Sequence, residues 1–277
     1  MSDIRIVNCH IHTFTLAHVP RRFPFAWTAP LRNKPKLVAG LAWVAGKLPW
    51  ISDETAAAMA RKARFQAEGN AGSQEAIMDN VLRHYPGNTR FVVLPMDMDL
   101  SGYGAADEGI EEQHRQLFQM SRNERYRDRL IPFASVHPDR PNALQVVRRA
   151  VEEYGFQGFK IYPPLGYAPD HPVLLDEIYP YLIDNNLPVM AHCSRGGIRH
   201  KGWDAAKAHA ATRPGAYRAL LSERFPELRM CLAHFGGQDD WRDYNENGYD
   251  PDDPEIEDRN WQIGIRRMIG SGKFPNL

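Results

Sequence analysis

The chain has 277 residues with 34 lysines and arginines against 34 aspartates and glutamates, so no net field draws it to polyanions, and nucleic-acid binding through bulk charge is excluded. At 43% hydrophobic and 25% charged residues it is composed as a globular protein with a large core, which excludes disordered and collagen-like architectures. The length suits one α/β barrel of about 250 residues or two ordinary domains.

Six short apolar runs follow one another: Ile4 to Cys9, Phe91 to Met96, Leu130 to Val136, Phe156 to Tyr162, Leu187 to Ala191 and Leu228 to Ala233. Each reads as a strand buried on both faces. Between them apolar residues recur three and four apart, as in Ala143, Leu144, Val147, Ala150 and Val151, or Leu174, Leu175, Ile178, Tyr181 and Leu182, which is the spacing of helices. Strand and helix in alternation predict right-handed βαβ units and a parallel sheet, in one domain over residues 1–277.

The first connection, residues 14–90, is far longer than the usual 2 to 6 residues. It reads as a lid or an oligomer contact, with an inserted helical hairpin of no chemical role as an equal alternative. It opens on Pro20-Arg21-Arg22-Phe23-Pro24-Phe25-Ala26-Trp27 and has helical patterns around Asp53 to Ala67 and Gln74 to His84. Its apolar stretch from Leu37 to Gly46, bounded by Lys36 and Lys47, falls well short of the roughly 18 residues that span a bilayer. A packed helix or lid is the reading there, with a membrane-contacting helix the lesser alternative.

A second polar excursion, residues 238–258, holds ten carboxylates and reads as a solvated acidic loop. Asp243, Asn245, Asn247 and Gly248 match the opening of an EF-hand, but Pro254 stands where the bidentate glutamate is required. The three cysteines, Cys9, Cys193 and Cys231, lie in apolar runs and read as reduced, buried thiols of a cytoplasmic protein; the first residues carry no secretory signal pattern.

Four of the eleven histidines stand at or just past strand ends: His10 and His12 after the first, His192 after the fifth and His234 after the sixth. In parallel α/β folds ligands gather at the carboxyl ends of strands. His10 and His12 are two apart, so both imidazoles leave the same side of a strand and two nitrogens can reach one metal; His192 would complete a three-ligand catalytic set.

Asn8-Cys9-His10-Ile11-His12-Thr13-Phe14, Gly158-Phe159-Lys160-Ile161-Tyr162-Pro163-Pro164-Leu165-Gly166-Tyr167, Pro188-Val189-Met190-Ala191-His192-Cys193-Ser194 and Leu232-Ala233-His234-Phe235-Gly236-Gly237 together resemble the amidohydrolase superfamily, in its amidohydrolase-2 branch. The resemblance implies a TIM-like (β/α) barrel, with about six of its eight strands present here. It implies a divalent metal, zinc foremost and manganese or another transition metal as alternatives, held by His10, His12 and His192. It gives His234 the catalytic task of polarising a substrate carbonyl or orienting water. The family's aspartate at the end of strand eight has no counterpart, because the chain ends at Lys273-Phe274-Pro275-Asn276-Leu277, where strand seven would begin; a C-terminal truncation is the expectation.

Lys160 stands where binuclear relatives carry a carbamylated lysine, but Ile161-Tyr162-Pro163-Pro164 resembles the branch that uses one metal. Lys160 and Tyr162 are therefore expected to touch substrate or support a ligand, as are Arg195 and Asp97; Asp97 and Asp99 have hydrogen bonding to loop backbone as their plainer duty. His137 is expected to shape the loop after the third strand. The implied activity is metal-assisted hydrolysis of an amide, lactone or related C–N or C–O bond in a small molecule. Non-oxidative decarboxylation of an aromatic or unsaturated acid is the alternative, and an incomplete, binding or oligomerising domain a third. No nucleic acid or membrane is expected as partner, and a homo-oligomer is left open.

Overall fold

Parallel strands need a crossover between them, and the helices of this chain supply it. The computed structural model describes residues 4–24, 26–48, 50–250, 253 and 255–277, which fall into two units, Met1–Asp99 with Tyr103–Leu130, and Leu100–Gly102 with Ile131–Leu277. In chain order the first holds β1 (Val7–Ile11), α1 (Pro35–Ala45), α2 (Asp53–Gly69), α3 (Gln74–Leu82), β2 (Arg90–Val93) and α4 (Ile110–Arg122). β3 (Leu130–Pro132) follows at the boundary and completes a sheet of order β1-β2-β3. Ser52 and Ser73 cap α2 and α3, their hydroxyls accepting from Thr55 N at 3.2 Å and Ala76 N at 3.1 Å. These are the two helices expected in the long insertion.

The second unit runs β4 (Ala134–Ser135), α5 (Ala143–Arg148), β5 (Phe159–Ile161), α6 (Tyr179–Asp184), β6 (Val189–Ser194), α7 (Ala205–Thr212), β7 (Met230–Gly236), α8 (Gln238–Asn247), α9 (Ile256–Arg259) and α10 (Trp261–Gly270). Its sheet is parallel in sequence order, β4-β5-β6-β7. The α/β class expected from the sequence is the class observed. Among the described residues no helix is long and apolar enough to cross a membrane.

Several expectations need correction. The third predicted strand breaks at Phe133 into β3 and β4, which pair in different sheets; Pro132 has no N–H to continue a ladder, and the Phe133 ring occupies the space beside Gly158 where a Cβ would stand. β1 is not buried on both faces, and Cys9 and Cys231 are exposed, with only Cys193 buried. Both exposed thiols sit on strands at the end of a sheet, each paired with one strand among the described residues. The acidic stretch is not all loop: α8 takes its first ten residues, with Asp239 and Asp240 in the first turn where the helix dipole favours carboxylates. The calcium-like residues Asp243, Asn245 and Asn247 are thus on a helix and cannot wrap an ion as an EF-hand loop does; Pro254 lies outside the described residues, as does Phe25.

Two strands carry one more residue than their neighbours. In β1 three residues advance from Asn8 to Ile11 while β2 advances two, from Phe91 to Val93. In β7 three advance from Ala233 to Gly236 while β6 advances two, from His192 to Ser194. Each is a β-bulge, which leaves a residue out of the ladder and re-aims it. In β7 the backbone at His234, Phe235, Gly236 and Gly237 has φ of 68°, 48°, 91° and 98°, the left-handed region that costs non-glycine residues energy. A Cβ on Gly236 would lie 2.6 Å from the backbone nitrogen of Gln262. Gly236→Ala is therefore expected to destabilise the fold by on the order of 2 kcal/mol in urea denaturation, through both strain and overpacking; an unchanged midpoint would contradict this account of the bulge.

Candidate active site

In the first unit the β1 bulge falls between Asn8 and Ile11, the stretch that holds His10. The His10 amide donates to the Asn8 carboxamide oxygen at 3.0 Å, and Asn8 Nδ2 in turn donates to the Tyr85 hydroxyl at 2.9 Å, so a side chain on the strand holds the bulged backbone. His12 Nδ1 lies 2.7 Å from the carbonyl oxygen of Leu94, just past β2. A carbonyl only accepts, so Nδ1 is the protonated nitrogen and Nε2 of the neutral ring is left with its lone pair. His10 Nε2 is 3.2 Å from that atom. Two nitrogens bound to one tetrahedral zinc at about 2.0–2.1 Å stand about 3.3 Å apart, so the pair fits a divalent ion as two of its ligands. Among the described residues no group of three or more histidine, cysteine, aspartate or glutamate side chains is gathered closely enough to hold a metal. Asp97 is buried, and Asp99 does the plainer duty expected of it, accepting from Ala106 N at 2.9 Å.

In the second unit register places the chemistry on one face of the sheet. Lys160 stands opposite Met190 and Met190 opposite Cys231. Two residues on, Tyr162 and His192 occupy the same face, their rings stacked with centroids 4.1 Å apart and 21° between planes. His234, turned by its bulge, meets the His192 ring edge-on at 4.8 Å. The Tyr162 hydroxyl accepts from Ile198 N at 3.0 Å, and Gly197, with φ of 105°, leaves room for it where a Cβ would collide with the hydroxyl. His192 Nε2 lies 3.0 Å from the Gly196 carbonyl.

Burial sets the electrostatics. It draws the Lys160 amine down to about 7, against small opposing effects of Cys231 and Cys193. Among the described residues the Lys160 Nζ has no hydrogen-bond partner; the Tyr162 ring lies 5.8 Å from it. Burial, then the Lys160 charge, lowers His234 to about 4. Burial pushes the Tyr162 phenol up to about 12, so it remains protonated.

Arg195 has structural duties. Its Nε donates to Asp240 at 2.9 Å, its Nη2 to the carbonyls of Asp258 and Arg259, and its guanidinium lies over Trp261 at 4.4 Å, tying the end of β6 to α8 and α10. His137 Nδ1 accepts from Asp139 N at 3.3 Å, shaping its loop as expected. A cavity of about 500 Å³ in the first unit touches Arg21, Arg32 and Asp107. Its cations are engaged: Arg21 pairs with Asp107 at 2.7 Å, and Arg32 donates to the carbonyls of Leu16, Val19 and Pro20.

Sequence reasoning assigned no role to Asn8 or Gly197. The only signal for Asn8 was an amide two residues before a histidine within an apolar strand; for Gly197 it was a paired glycine after a candidate ligand. Asn8→Ala should loosen the His10 backbone and weaken zinc affinity about 10-fold or more in competition titration, the range seen when residues behind a ligand are lost, while both histidines remain. Unchanged affinity would show that the Asn8 contact does not position His10.

A family model described as amidohydrolase matches residues 7–252. No curated protein matches the chain. Among solved structures, 4-oxalomesaconate hydratase of Rhodopseudomonas palustris is similar at 18% identity and a TM-score of 0.42, over 85% of this chain and 64% of that one. The chain thus spans less than two thirds of the hydratase. An uncharacterised TIM-barrel protein of Bordetella bronchiseptica is similar at 13% identity and a TM-score of 0.45, over 99% and 74% of the two chains. A putative amidohydrolase of Staphylococcus aureus gives 17% and 0.45, over 76% and 80%. The family match covers most of the sequence, and the chain belongs to the amidohydrolase family, in its amidohydrolase-2 branch.

Proposed function

We propose that the protein is a metal-dependent hydrolase of a small molecule, cleaving an amide, lactone or related C–N or C–O bond. The observation that carries the reading is the His10–His12 pair: two imidazole Nε2 atoms 3.2 Å apart, one with its tautomer fixed by the Leu94 carbonyl. The family uses divalent metals and zinc is the ion favoured by imidazole donors; the resemblance adds His192 to the ligand set, whose Nε2 donates here to the Gly196 carbonyl and would have to leave it to bind an ion. When bound, such an ion supplies Lewis acidity toward water and a substrate carbonyl. The chain's own groups divide the remaining work. His234 sits at the end of β7 against His192, suited to moving a proton or donating to an oxygen. Tyr162, held by Ile198 N and stacked on His192, restricts how that imidazole can turn.

This reading is tested by stripping the protein with a chelator and reloading it with zinc or manganese against a panel of amides and lactones. Hydrolysis should vanish on stripping, return on reloading, and be absent from the His10→Ala/His12→Ala variant. Turnover that survives complete removal of metal would contradict it.

A second reading, decarboxylation or hydrolysis of an acid substrate, is favoured by Lys160, a buried amine with no hydrogen-bond partner among the described residues, on the same face as Tyr162 and His192. A substrate carboxylate reaching it would gain a charge-assisted hydrogen bond. Lys160→Met, similar in length, should lower kcat/KM for acid substrates by roughly 30-fold or more while leaving neutral amides and lactones nearly unchanged. Equal losses on both substrate classes would count against a carboxylate contact.

A further inference from the structure

We propose that α1 and the turn that follows it form an interfacial anchor that seats the first unit on an anionic bilayer surface. α1 packs on α2, and its Ala42 and Ala45 are buried. Its other side is also apolar: Leu37, Leu41 and Val44, spaced at i, i+4 and i+7, are each about half exposed (48%, 51% and 49%). Trp43 beside them is 68% exposed, and Trp50 in the following turn 76%. Apart from Lys36 in its first turn the helix is apolar on both sides, and among the described residues nothing covers the outer one. At 11 residues it is about 16 Å long, too short for a hydrocarbon core of about 30 Å, so it can lie along a membrane surface but cannot cross it.

Charge identifies the occupant. Between Asp3 and Asp53 the sequence has seven lysines and arginines and not one carboxylate, in a chain whose net charge is zero. Exposed Lys34 and Lys36 precede the stripe and exposed Lys47 follows it, the last with its ammonium 5.8 Å from the Trp43 ring. Tryptophans and lysines around a leucine and valine stripe are the composition that settles at headgroup depth, the rings at the interface and the ammonium groups on lipid phosphate. A second copy of the chain suits the patch less well. In a two-fold contact the same patch meets itself, and its lysine collar would face another lysine collar with no carboxylate among them.

The test is co-sedimentation of the whole protein with vesicles of phosphatidylcholine containing about 30% phosphatidylglycerol, against pure phosphatidylcholine, at low and high salt. The protein should pellet with the anionic vesicles and lose that binding as salt rises. Trp43→Ser/Trp50→Ser should abolish it, and Lys34→Gln/Lys36→Gln/Lys47→Gln should weaken it roughly 100-fold, about fivefold per lysine. All these side chains are exposed, so both variants should keep the parent's circular dichroism and zinc content. Failure to pellet, equal binding to neutral vesicles, or binding indifferent to both variants would overturn the proposal. So would a concentration-dependent dimer that the tryptophan variant breaks, seen without vesicle binding, since a second copy would then be the occupant.

Discussion

One extra residue in a strand governs where the reactive imidazoles point. A regular parallel ladder would send alternate side chains to opposite faces at fixed spacing and leave each histidine wherever its number placed it. β1 breaks that rule between Asn8 and Ile11 and β7 between Ala233 and Gly236, the stretches that hold His10 and His234. Each bulge is held from outside the ladder: the first by the Asn8 carboxamide braced on Tyr85, the second by two glycines that admit a left-handed backbone against Gln262 and Ser194. Local strain of this kind persists only where surrounding contacts over-determine it, and here the contacts are named.

Each unit carries chemistry of its own. The first offers lone pairs, with the tautomer of His12 set by a main-chain carbonyl. The second offers a buried amine, a protonated phenol and two imidazoles on one sheet face. Lys160 is the costliest of these to keep charged, because its buried Nζ finds no hydrogen-bond partner among the described residues to replace water; burial accordingly draws its proton affinity down toward neutrality. Residues whose environment disfavours their charged form inside a cluster of reactive groups mark functional sites more often than chance, and Lys160 and His234 are both of that kind.

Much of this could be read from the sequence, for physical reasons that also explain the failures. Six apolar runs separated by helical spacing were enough for the α/β class, because strand and helix periods are properties of the backbone alone. The His-x-His spacing put two imidazoles on one side of a strand for the same reason. The bulges could not be foreseen, since an inserted residue shows only in the register with a neighbour. Cys9 and Cys231 looked buried because an apolar run does not say whether its strand has one neighbour or two. Residues 238–247 looked like loop because polarity suggests solvent, yet a polar segment forms a helix when acids open it and glycines flank it. The partners of Arg195, Asp240 and Trp261, lie 45 and 66 residues further along the chain, beyond the reach of any local pattern.

The claim on which the account rests is that His10 and His12 are ligands of one ion. Anomalous diffraction at the zinc edge, from crystals grown with zinc, tests it directly. The account predicts a single strong peak at about 2.0–2.1 Å from both Nε2 atoms, with His12 Nδ1 still on the Leu94 carbonyl. A peak bound elsewhere, or no peak and the two nitrogens still in mutual contact, would contradict it.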